Sequence, residues 1–137
     1  MNRKTARENA FILLFENAIK EISKDETAEE IYAKATEIRG LEVDGYVKKV
    51  FFGSIENAQI ISETVEKCLV GWSKERVSFV SRAIITLSTY ELMFMEDIPV
   101  RVSINEAIEL SKKYDEEKAY SFVNGVLNKV AEVLGRK

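Results

Sequence analysis

The sequence predicts an all-α fold, a bundle of about seven helices forming a single domain over residues 1–137. Three observations predict it. One proline and six glycines leave most of the chain free to be helical. Apolar residues recur at helical spacing in one segment after another. The only extended-looking piece, Val100, Arg101 and Val102, is too short to count as a strand. No Ser/Gly-rich linker, internal repeat or low-complexity tract marks a domain boundary.

The first helix is expected to open on a capping box of Thr5 and Glu8, with Ala10, Leu13, Leu14, Ala18 and Ile22 inward. Thr27 and Glu30 open the second in the same way, with Ile31, Ala35 and Ile38 inward and Gly40 as its stop. The longest pattern covers 44–70, with Val47, Val50, Phe51, Ser54, Ala58, Ile61, Val65 and Leu69 on its buried stripe and Gly71 after it. Trp72 reads as a core anchor at a chain corner, and Ser73 as the cap of a short helical turn. Residues 79–95 form the most apolar helix, which belongs at the centre of the bundle, and Pro99 breaks it.

Ser103 and Glu106 form a third capping box, followed by Ile104, Ala107, Ile108 and Leu110 on one stripe and Glu109, Lys112 and Lys113 outside it. Asp115, Glu116 and Glu117 suit the start of the last helix, where the macrodipole favours acids. Its stripe is Phe122, Val123, Val126, Leu127 and Val130, and Gly125 within it points to close approach of a neighbouring helix. Gly53 is the other glycine inside a helical pattern, and Gly135 lies at a helix end.

Composition excludes several classes of function. Hydrophobic content of 46% and charged content of 31% are those of an ordinary soluble globular chain. The single cysteine, Cys68, sits in an apolar run as a buried free thiol and fits a reducing cytosol. No export signal and no membrane span is expected, so the expected location is the cytoplasm. The net charge of −3 argues against a protein that coats nucleic acid nonspecifically, yet leaves room for a local basic patch. Histidine is absent, which removes the commonest general base and metal ligand. Neither a phosphate-binding loop nor a dinucleotide fingerprint occurs. The expectation is no catalysis, no metal and no cofactor.

Two groups of residues remain as candidates for binding an acidic ligand. Arg3, Lys4 and Arg7 cluster at the start of the first helix; they suit phosphate, or they are an ordinary solvated terminus. Phe122, near Lys118 and within reach of Lys112 or Lys113, can stack on an unpaired base or belong to the core stripe with Val123 and Val126. Arg82, Glu91, Asn105 and Glu106 lie beside apolar stripes and are read as a semi-buried polar network that fixes helix packing.

An ordered set of motifs resembles the NusB family of bacterial transcription antitermination factors. It comprises INEAIEL from Ile104, FVNGVLNKV from Phe122, Trp72 to Arg76, then Arg82 with Ile84, Ile85 and Leu87. Tyr90 to Leu92, Ile98 to Val100 and the basic opening from Arg3 to Glu8 complete it. The resemblance covers nearly the whole chain and is firmest from Trp72 onward. It implies that the arginine-bearing start and Phe122 contact RNA, with Lys118 favouring phosphate where relatives are often acidic. It further implies a partner, the small-subunit ribosomal protein NusE, with which the family binds the boxA element of nascent RNA. Phe15, Glu75 and Ser81 match the partner-facing surface, with Arg76 and Arg82 beside them. Ser81 replaces a charged residue of some relatives, so an ion pair there is lost or moved.

The function so implied is antitermination, in which RNA polymerase is made to resist termination, notably on ribosomal RNA operons. Three alternatives stand beside it. A NusB-like domain also precedes an RNA cytosine methyltransferase, but that needs a methyl-donor domain not expected in a chain ending at Lys137. A helical adaptor would bind protein without RNA. A homodimer of the kind some family members form would hide the RNA surface.

Overall fold

A computed structural model describes residues 1–71 and 74–136. Among them are seven α-helices: α1 (Arg3–Ser23), α2 (Ala28–Ala33), α3 (Gly45–Glu56), α4 (Ala58–Glu66), α5 (Phe79–Phe94), α6 (Val100–Tyr114) and α7 (Ala119–Val133). A π-helical stretch, Lys34–Ile38, continues α2, and a 3-10 turn, Lys74–Arg76, precedes α5. No strand occurs among the described residues. The expectations placed on Trp72 and Ser73 lie outside them.

The all-α expectation holds, and so does the central place of α5. Its apolar sequence is covered by α1, α3, α4, α6 and α7, and Ile84, Ile85, Leu87 and Leu92 are buried along it. A helix apolar all round has no face to give to water, so neighbours must surround it. One continuous cluster joins these residues to Leu13 and Leu14 of α1, Val47, Val50 and Phe51 of α3, and Val123, Leu127 and Val130 of α7. Cys68 is buried as expected.

Several element ends differ from the expected ones. α1 starts two residues before Thr5: the Asn2 side chain accepts from the Thr5 amide at 2.8 Å, so Thr5 and Glu8 lie inside the helix. Ile22 is 69% exposed because α1 outruns the core near its end, and Ala18 is half-buried. The Thr27–Glu30 capping box is present. Beyond it the wider i→i+5 bonding of the π-helical stretch, seen in Arg39 N–H to Lys34 O, rotates later residues off the buried face. Ile38 is accordingly 76% exposed while Ala35 stays buried. Gly40 ends this element at φ 68°, which lets the Leu41 amide reach back to Ala35 O at 2.9 Å.

The long pattern over 44–70 is two helices. Asn57 breaks it by donating both its backbone and its side-chain N–H to the Gly53 carbonyl, and Ala58 turns outward. Pro99 does not end α5, which stops at Phe94; it opens α6 instead, with Ser103 N–H bonded to Pro99 O. Ser103 and Glu106 therefore form no capping box. The acidic trio sits in the loop before α7, whose first turn follows Lys118 and has no side-chain cap.

The two interior glycines are also reversed in role. Gly125 is exposed, with nothing within 4 Å of where a Cβ would stand. Gly53 is where helices meet closely, since a Cβ there would lie 2.5 Å from the Tyr90 hydroxyl and 2.6 Å from its ring.

Candidate nucleic-acid interface

The basic start of α1 divides into two kinds of residue. Arg7 is 5% exposed, and its Nε–H donates to Glu91 Oε2 at 2.7 Å. Glu91 is wholly buried on α5; Tyr46 of α3 donates to the same oxygen, and Ser103 of α6 donates to Oε1 at 2.7 Å. Ser88 hydrogen-bonds Ser103 in turn. A carboxylate this deep must be paired, and four donors on four helices converge on it directly or through one hydroxyl. Burial, then the Glu91 charge, raises the Tyr46 phenol far above its usual range, so it remains a donor.

Arg7 is thus tied to Glu91 through its Nε, and the same residue lines a shallow depression beside Lys4 and Glu8. The expected polar network exists around Glu91, but with Arg7, Tyr46 and Ser103 as partners. Asn105 is exposed, Glu106 faces Lys4, and Arg82 donates to the Val77 carbonyl at 3.0 Å.

The remaining cations line one surface. Arg3 is exposed and lies over the Tyr46 ring, 4.5 Å from its centroid. Lys4 stands 3.7 Å from Glu106, and Lys113 donates to Glu8 at 2.5 Å, as does the Tyr114 hydroxyl. Lys113, then Tyr114, hold the Glu8 carboxyl below its ordinary range, and burial, then Glu8, pushes the Tyr114 phenol up. Lys112 lies 3.9 Å from Glu109 and 5.0 Å from the Tyr120 ring centroid. These contacts run from α1 across the outer face of α6 to α7, over the same shallow depression of about 70 Å³, lined by Lys4, Arg7, Glu8, Glu106, Glu109 and Lys113. Exposed ion pairs are weak, so the lysines exchange partners at little cost.

Lys118 is exposed at the start of α7. Phe122 is half-buried and packs against the core, so both of its sequence readings describe part of it. Tyr46, Tyr114 and Tyr120 were not singled out from the sequence. Only the placement of Tyr120 eight residues beyond Lys112, across a helix junction, offered a signal.

The partner-facing set divides as well. Glu75 and Arg76 are exposed on the 3-10 turn, and Arg82 is half-buried with its guanidinium 5.2 Å over the Phe79 ring. Phe15 is half-buried beside Phe11, which contacts Tyr114. Ser81 is 3% exposed and donates to Asp115, as Ser78 does at 3.1 Å. Ser81 therefore offers a partner no free hydroxyl, and the carboxylate at this edge of α5 belongs to Asp115.

Fold and surface together define a class: an all-helical protein with a cation- and aromatic-bearing face spread over three helices. Among the described residues no group of side chains is assembled to hold a metal, and no helix is long and apolar enough to cross a membrane. Comparison with known proteins supplies the family. The NusB family model matches residues 4–132. The chain is 40% identical over 130 residues to the transcription antitermination protein NusB of Bacillus licheniformis, covering 95% of this chain and 96% of that protein. It is 43% identical over 143 residues to the protein of the same name from Clostridium botulinum strain Kyoto, covering 95% and 99%. Among solved structures it matches T. maritima NusB at 35% identity and a TM-score of 0.81, over 96% and 92% of the two chains. It also matches a chain of the crystal structure of antitermination factors NusB and NusE in complex with dsRNA, at 28% identity and a TM-score of 0.82 over 96% of each. The chain belongs to the NusB family.

Proposed function

We propose that this protein is a cytoplasmic transcription antitermination factor that binds boxA-type single-stranded RNA together with NusE. It helps RNA polymerase resist termination, notably on ribosomal RNA operons. It works without catalysis. The observation that carries the reading is the end-to-end match to relatives named transcription antitermination proteins, beside a match to a chain solved in a complex of NusB and NusE with dsRNA.

The cations of α1, α6 and α7 supply the phosphate-binding surface. Arg3, Lys4, Lys112, Lys113 and Lys118 provide charge, and the exposed edge of Phe122 provides a face for a base. Arg7 anchors α1 to Glu91 of α5, so that Arg3 is held over Tyr46 of α3 and Lys4 beside Glu106 of α6, and its own side chain lines the depression next to them. The NusE surface comprises Phe15, Glu75, Arg76 and Arg82, with Ser81 acting through the Asp115 carboxylate it holds. RNA and NusE engage adjacent surfaces, so each ligand promotes the other's binding.

Titration into labelled single-stranded boxA-like RNA, with and without NusE and at two salt concentrations, tests this. Binding should tighten with NusE and weaken as salt rises. Binding to NusE with no effect from RNA would reduce the protein to an adaptor. Failure to bind either, with a monomer shown by sedimentation, would refute the reading.

A further inference from the structure

Tyr120 stands in the first turn of α7 and is 38% exposed. It lies outside the apolar cluster that takes in its neighbour Phe122, so core packing does not account for an aromatic ring at this position. Its contact is instead a cation, the Lys112 ammonium 5.0 Å from the ring centroid. Lys112 in turn ends the line of charged contacts that starts with Lys4 and Glu106 and crosses α6. An exposed ring with a mobile cation beside it, at the end of a lysine-bearing strip, has the composition of a stacking site for an unpaired base with a phosphate contact next to it.

We propose that Tyr120 and Lys112 form a second base-stacking position for single-stranded RNA, distinct from Phe122. The proposal rests on the RNA-binding reading above. Two residues along a helix turn the side chain by about 200°, so Tyr120 and Phe122 leave opposite flanks of α7. Tyr120 meets Lys112 of α6 and the strip that leads back to Lys4, whereas Phe122 packs its half-buried ring against the core. Lys118 stands at the helix start from which both flanks diverge. A strand that touches both aromatics crosses that helix end, with Lys112 on one side and Lys118 at the crossing. An exposed cation–π contact is weaker than the stacking of a base, so the base displaces the ammonium from the ring, and the ammonium moves to the adjoining phosphate.

The test uses the full chain and a labelled single-stranded boxA-like oligonucleotide, with affinities measured by fluorescence anisotropy across a salt series. Tyr120→Ala should weaken binding about 5- to 100-fold without changing the salt slope. Tyr120→Phe should stay within about twofold, because the ring does the stacking. Lys112→Gln should lower the salt slope by about one charge. Arg3→Gln with Lys4→Gln serves as the control for the underlying reading. If the control weakens binding and Tyr120→Ala does not, the stacking position is refuted and the RNA-binding reading stands. Should Tyr120→Phe lose as much as Tyr120→Ala, the hydroxyl is the contact and stacking is overturned. If the unaltered, folded chain binds no RNA, both fall together.

Discussion

Arg3 and Arg7 are one helical turn apart, and both lie near the Tyr46 ring, at 4.5 and 5.9 Å. Their energetic roles are nevertheless opposite. Arg7→Ala leaves the wholly buried Glu91 carboxylate without its counter-charge, and should cost about 3–5 kcal/mol of unfolding free energy in a denaturant titration. Replacing both partners, as in Arg7→Met with Glu91→Leu, should cost less than the single change, since no unpaired charge remains. Arg3→Gln should leave stability within about 0.5 kcal/mol and show its effect in the RNA salt dependence instead. The sequence did not separate the two. A basic cluster at a helix start carries no mark of where the core edge falls, and the answer lay 84 residues away at Glu91. Ser81 escaped for the same reason: its burial depends on Asp115, on a loop between two later helices.

Between elements, α3 and α5 approach each other closely at Gly53 and Tyr90. Gly53→Ala should destabilise by about 1–3 kcal/mol through overpacking, because the Tyr90 ring is itself buried. The intrinsic helix gain of alanine over glycine, up to about 1 kcal/mol, is the smaller effect. At Gly125 the order is reversed: nothing opposes the new methyl group, so Gly125→Ala should stabilise by about 0.5–1 kcal/mol. Thermal unfolding of the two variants gives opposite shifts in Tm if this packing is right. Periodicity identified the helices and the central position of α5, because an apolar stripe is a local signal. It misplaced their ends. Asn2 outcompeted Thr5 as a cap, Asn57 divided a continuous stripe, and Pro99 served as a start rather than a stop. Each of these turns on which backbone group a side chain satisfies, and several residue patterns satisfy the same rule.

Over the whole molecule a net charge of −3 coexists with a lysine-bearing face, so the average charge hides the separation of signs. The seam between α1 and α6 is partly ionic and should respond to acid. Glu8 is held below its ordinary carboxyl range by Lys113 first and Tyr114 second. A carboxyl lowered on folding contributes stability above its unfolded pKa, about 4.3, and loses it as pH falls through the folded value. The contribution is modest because the Lys113 side chain is 62% exposed. Glu8→Gln should therefore lower Tm slightly near neutral pH, and the difference should narrow as acid protonates Glu8; a gap that did not narrow between neutral pH and acid would refute an ionic origin. Fold class and family were legible because they rest on many residues at once. The proposed binding face was legible only in part, since neither Tyr46 nor Tyr120 belongs to a motif.

The buried arginine has a further consequence in time. Arg7 leaves the ribosome 84 residues ahead of the carboxylate it needs, a lag of about 4–17 s at ordinary rates of synthesis. Throughout that interval α1 has no counter-charge to be buried against and cannot settle into its place. Its first turns stay wetted and basic, with Arg7 as available as Arg3, until α5 has been made. Ser103 arrives later still, and only then is Glu91 fully enclosed. The beginning of this polypeptide therefore reaches its final electrostatic surroundings only after α5 has been made.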